Sequence, residues 1–139
     1  MREIKFRAKL TTGGCPWVYG NAVIQINGKA YLFEDTYEYA GVFENGDPEI
    51  IGHFVSGLLE VYPDSIGQYA GLKDRNGKEI YEGDIVSSGA TTGIVVYDCK
   101  QAGFVVQKER ALELRFYSSL GIDVIGNIHD NKLEDFYGR

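Results

Sequence analysis

Basic charge is scarce in this chain. Its 14 lysines and arginines stand against 20 aspartates and glutamates, for a formal net charge of −6. That balance works against non-specific attraction to a phosphate backbone, though it leaves room for a local basic face. Proline (3), cysteine (2), histidine (2) and methionine (1) are also few. Cys15 and Cys99 lie far apart and form no C-x-x-C pair, so two thiols in a reducing cytosol are expected. A disulfide would need the fold to bring them together. His53 and His129 have no partner at i+4, and the cysteines lie elsewhere, so no metal site is read from spacing. No apolar run approaches the roughly 18 residues of a membrane span. The start, Met1 to Arg7, lacks the apolar core of a secretory signal. A cytoplasmic protein without a membrane partner is expected.

What is present points to strands. The 139 residues fit one domain or two small subdomains, and 44% apolar content is enough for a packed interior. Glycine (18) and tyrosine (10) are abundant. Ile4, Phe6, Ala8 and Leu10 alternate with Glu3, Lys5, Arg7 and Lys9, the pattern of a half-buried strand. Strands are also expected at Trp17–Tyr19 running on through Ala22–Ile26, at Lys29–Phe33, at Gly41–Phe43 and at Glu49–Val55. Asn27-Gly28 between two of them reads as a two-residue type I′ hairpin turn. Glu34–Tyr39 reads as loop. Asp74-Arg75-Asn76-Gly77 suits a type I turn with Gly77 in the left-handed region, the three-residue hairpin with a bulge. Further strands are expected at Ile66–Lys73, Glu79–Tyr81, Ile85–Val86, Ile94–Tyr97, Phe104–Gln107 and Asp123–Ile128. Leu112, Leu114 and Phe116 alternate as a strand would, with a helix as the rival reading. A short helix is expected over Asn131–Tyr137.

The expected fold is mainly β. Residues 66–130 form a small SH3-like barrel, residues 1–65 an N-terminal set of antiparallel strands packed on it, and residues 131–139 a tail.

The run Ile66-Gly67-Gln68-Tyr69-Ala70-Gly71-Leu72-Lys73-Asp74-Arg75-Asn76-Gly77-Lys78-Glu79-Ile80-Tyr81-Glu82-Gly83-Asp84-Ile85-Val86 resembles the signature of the YopX family. So do Arg2-Glu3-Ile4-Lys5-Phe6-Arg7-Ala8, Val18-Tyr19-Gly20 and Val124-Ile125-Gly126-Asn127-Ile128, in the family's order. Lys9 and His129-Asp130-Asn131 depart from the family's pattern. The resemblance implies a phage or prophage protein acting in a host cell. It also implies a mainly-β fold with an SH3-like barrel and no known enzyme activity.

No catalytic motif competes with that reading. Between Gly71 and Gly77 lie five residues where a Walker A loop has four, and Glu79 stands where its hydroxyl should be. Ser56 and Ser118 lack the G-x-S-x-G context of a nucleophile elbow. Asp74 and Asp84 could do acid–base work if brought together, but both sit at turn positions where a carboxylate accepts backbone N–H bonds. Gly71, Asp74, Asn76, Gly77, Gly83 and Asp84 are therefore read as structural. No cofactor is expected. Lys5, Arg7 and Lys9 form the one compact basic stripe, facing outward from their strand. They are a face for an anion or partner, or else charges that solvate a strand. The tyrosines could supply an interface. A non-enzymatic protein-binding or assembly module is the preferred expectation, pairing with itself and with a host or phage protein. A nucleic-acid-binding barrel is the alternative, and an uncharacterised enzyme the third.

Overall fold

The computed structural model describes residues 3–33, 37–42, 48–53, 58–89, 91–108, 111–115 and 121–132, without side chains at 37–42, 48–53 and 111–112. The chain divides into two compact units, Lys5–Ile66 and Gly67–Arg139 with Met1–Ile4.

In the unit Lys5–Ile66, β1 (Phe6–Lys9), β2 (Trp17–Ile24), β3 (Ala30–Phe33) and β6 (Leu58–Val61) form an antiparallel sheet in the order β6-β3-β2-β1. The sheet curls. A bridge pairs Leu10 with Val61, Thr11 N donates to Glu60 O (3.1 Å), and Tyr62 N donates to Lys9 O (3.0 Å). The concave side holds Ala8, Val18, Ala30, Leu32 and Val61, all buried. Two alanines among five core positions make this interior narrow, which suits tight curling. β4 (Tyr37–Val42) and β5 (Pro48–His53) pair with each other as a separate ribbon.

The second unit carries β7 (Gly67–Lys73), β8 (Glu79–Tyr81), β9 (Asp84–Ser87), β10 (Thr92–Asp98), β11 (Gly103–Gln107), β12 (Ala111–Glu113) and β13 (Asp123–Asn127). β7 pairs with β8. The others form an antiparallel sheet in the order β12-β11-β10-β9-β13. Its core is Ile80, Val86, Val95, Val106, Leu114 and Ile122. Gly93 sits where β10 crosses β11 closely. A Cβ there would lie 2.5 Å from Val106 Cγ1 and 3.0 Å from Gln107 O.

The fold is mainly β, as expected, but several expectations need correction. No closed barrel is detected among the described residues. The five-stranded sheet begins at Asp84 rather than with the strand at Ile66–Lys73, and β12 and β13 stand at its two ends without pairing to each other. Tyr37–Tyr39 belongs to β4 rather than to a loop. β6, in Leu58-Leu59-Glu60-Val61, lacks the alternation that marks strands and was not expected. The Asn27-Gly28 turn is not type I′. Gly28 has positive φ and Asn27 does not; Gly28 N donates to Gln25 O (2.9 Å) and Gln25 N to Lys29 O (2.8 Å). That is the same three-residue bulged loop as at Asp74–Lys78. After β12 the chain turns helical at Leu114-Arg115, so the strand and helix readings each hold for part of that segment. The expected helix over Asn131–Tyr137 falls mostly outside the described residues.

Candidate partner-binding face

The register of the curled sheet fixes which side chains share its convex side. Arg7 pairs with Tyr19 and Lys9 with Trp17; Asn21 pairs with Phe33 and Val23 with Tyr31; Tyr31 pairs with Glu60 and Phe33 with Leu58. Successive strand residues point to opposite faces. Since Ala8, Val18 and Leu32 point inward, this set points outward. The result is an apolar, mostly aromatic face crossing three strands: Trp17 and Tyr19 on β2, Tyr31 and Phe33 on β3, Leu58 on β6. Tyr19 is 48% exposed, Val23 47% and Leu58 47%.

The expected basic stripe lies at one margin of this face, in altered form. Arg7 is not solvated; it is only 6% exposed, with its guanidinium 4.6 Å from the Trp17 ring centroid. Lys9 Nζ lies 5.4 Å from the same ring. Lys5 and Lys9 are half-buried. The two cations lie over the negative π face of Trp17, an attraction that strengthens as water is excluded. They order the margin of the face more than they offer a free basic track.

Elsewhere, Asp74 and Asp84 are both buried. Asp74 Oδ1 accepts from Asn76 N and Lys78 N (2.9 Å each), and its Oδ2 accepts from Val124 N on β13 (3.0 Å). Gly77, at φ +84°, donates its N–H to Asp74 O (3.0 Å). Arg75 N donates to Ile122 O (3.1 Å). The Arg75 guanidinium grips Asp123 with two bonds, Nε to Oδ1 (2.8 Å) and Nη2 to Oδ2 (2.6 Å), and Asn76 Nδ2 adds a third (3.0 Å). This hydrogen bonding and charge raise the Arg75 pKa and lower that of Asp123. The β7–β8 turn is thus clasped to β13. Asp84 Oδ2 accepts from Tyr81 N (2.8 Å). Gly83 N donates to Val95 O (2.7 Å), and Gly83 O accepts from Ile128 N (3.0 Å). Gly71, at φ +86°, sits in the irregularity where β7 slips against β8 between Tyr69 and Lys73.

A family model described as YopX protein matches residues 5–134. The chain belongs to the YopX family. The crystal structure of protein EF1440 from Enterococcus faecalis resembles it with a TM-score of 0.53 and 25% identity, over 94% of this chain and 96% of that one. No curated protein matches.

The YopX signature run therefore builds a fold element: its turn carboxylates are turned inward onto backbone amides. Among the described residues no three or more His, Cys, Asp or Glu side chains group to hold a metal ion. His53 ends β5, with its side chain outside the described set; His129 N donates to Asn127 Oδ1 (3.0 Å) in the turn after β13. Cys15 and Cys99 are free thiols. A half-open pocket of about 710 Å³ in the second unit is lined by Leu72, Phe104 and Leu114 together with Gln101, Glu113 and Arg115. Among the described residues no helix is long and apolar enough to cross a membrane. Sequence reasoning named the cations of the convex face but not Trp17 as their neighbour, nor Phe33 and Leu58 as sharing the face. The missing signal was cross-strand register, and β6 showed no pattern from which to read it.

Proposed function

We propose that this YopX protein is a non-enzymatic protein-binding or assembly module of a phage or prophage, working in the host cytoplasm. The convex face of the curled sheet receives its partner. One observation carries the reading: Trp17, Tyr19, Tyr31, Phe33 and Leu58 share one sheet face, and two of them, Tyr19 and Leu58, are about half exposed. Aromatic residues on a rigid sheet give large contact area at low entropic cost. The inward use of Asp74 and Asp84 supports a role without acid–base chemistry. In the second unit, a four-strand meander whose fifth strand returns to the first supports a partly open SH3-like arrangement.

Aromatic rings beside cations also favour the alternative, a nucleic-acid-binding SH3-like barrel protein. It is the weaker reading, because Arg7 is buried against Trp17 and the net charge is negative. Capture of the tagged protein's partners from host lysate, with and without nuclease, tests the choice. The expected result is a nuclease-resistant protein retained by the wild type and lost with Tyr19→Glu/Leu58→Glu. A nuclease-sensitive catch, or one indifferent to the double substitution, contradicts the proposal.

A further inference from the structure

β2 outruns its neighbour. Its pairing with β1 ends at Phe6↔Gly20, while its pairing with β3 continues through Asn21, Ala22, Val23 and Ile24. Among the described residues, this last stretch has a strand on one side only. Gln25 N donates toward Lys29 on the β3 side. Alternation along the strand then turns the N–H groups of Ala22 and Ile24 to the open side. The side chains here are apolar and exposed: Val23 at 47%, Ile24 at 66%, and Ile26 at the turn fully so. No residue between Lys9 and Lys29 is charged. Edge strands ordinarily carry a lysine, a proline or a short length to stop further pairing. This one is short, but from Asn21 to Ile24 it carries neither a lysine nor a proline.

We infer that the Asn21–Ile24 edge of β2 pairs with the same edge of a second copy, antiparallel about a two-fold axis at Val23. An open edge demands an extended chain as its occupant. The uncharged segment selects one equally uncharged and β-prone, and its own copy meets both demands without like-charge repulsion. In this register Ala22 of each copy faces Ile24 of the other, so the outward N–H groups meet carbonyls and the two Val23 side chains lie directly opposite. The inference goes beyond the partner-binding reading. Its failure would leave that reading untouched, because purified protein alone decides it.

The test is light scattering behind size exclusion at tens of micromolar (roughly the range where weak interfaces saturate), on the wild type, Val23→Lys, Val23→Glu and an equimolar mixture of the two variants. The expected result is a wild-type dimer, each variant monomeric, and a dimer restored in the mixture. Thermal melts of the two variants establish that both are folded; Ile24→Lys, at a more exposed position, replaces either one that is not. A monomeric wild type overturns the inference, as does a dimer that survives folded Val23→Lys or Ile24→Lys, or a mixture that stays monomeric.

Discussion

Asp74 shows how one side chain can decide a local fold. It accepts from three backbone amides, two within its own turn and one on β13. Replacing it by alanine takes the partner from three part-buried backbone amides and removes charge-assisted bonds, a cost of about 2–3 kcal/mol. Denaturant melts of Asp74→Ala should show a loss of that order. Gly77 works by conformation alone. At φ +84° with open space around it, it has no steric neighbour to lose, so Gly77→Val should cost about 1–2 kcal/mol from the left-handed backbone strain. An unchanged melting temperature would contradict that account. Gly93 is the opposite case, held by space: an alanine methyl would meet both Val106 and the backbone of Gln107. Gly93→Ala should therefore destabilise by about 1–3 kcal/mol, as overpacking does.

At the scale of elements, the clasp between the β7–β8 turn and β13 has a pH signature. Arg75 holds the Asp123 carboxylate below its ordinary pKa. A carboxyl with a lowered folded pKa contributes stability above its unfolded value and loses it as pH falls through the folded one. The advantage of wild type over Asp123→Asn should therefore be present at pH 7 and shrink as pH falls through and below the ordinary carboxylate range. The pair is exposed, so the difference will be small and salt-sensitive. A gap that does not narrow on acidification would mean the substitution acts through something other than charge.

Elements also show what the sequence could reveal. The Asp74–Gly77 turn was legible because its residue types match the conformations a bulged hairpin needs. Asn27-Gly28 misled because the same dipeptide serves two loops. The one formed here extends back to Ile26, so asparagine keeps negative φ. β6 was invisible because Leu58-Leu59-Glu60-Val61 is apolar at consecutive positions; it is a strand because β3 and Leu10 pair with it. The binding face was half legible. Lys5, Arg7 and Lys9 announce a common face by their spacing. Arg7's burial depends on Trp17 arriving from a strand whose register no local pattern states.

For the whole molecule, net charge and the buried Arg7 set an expectation for nucleic acid. With Arg7 held on Trp17, few cations can neutralise phosphates along one track. Binding to generic single-stranded or duplex DNA near 150 mM salt should be no tighter than roughly 10 μM, within the range of non-specific contacts. Fluorescence anisotropy checks this. Submicromolar binding, lost when Lys5, Arg7 and Lys9 become serine, would promote the nucleic-acid reading.

The division between a signature that builds the fold and a face that binds is most directly tested by measuring both properties in the same two variants. Melting temperature and nuclease-resistant partner capture would be compared for Tyr19→Glu/Leu58→Glu and for Asp74→Ala. The predicted result is that the face variant keeps its melting temperature and loses its partner, while the Asp74 variant melts lower yet retains the partner at temperatures where it is folded. A folded Asp74→Ala that fails to capture the partner, or a face variant that captures it undiminished, would contradict the account.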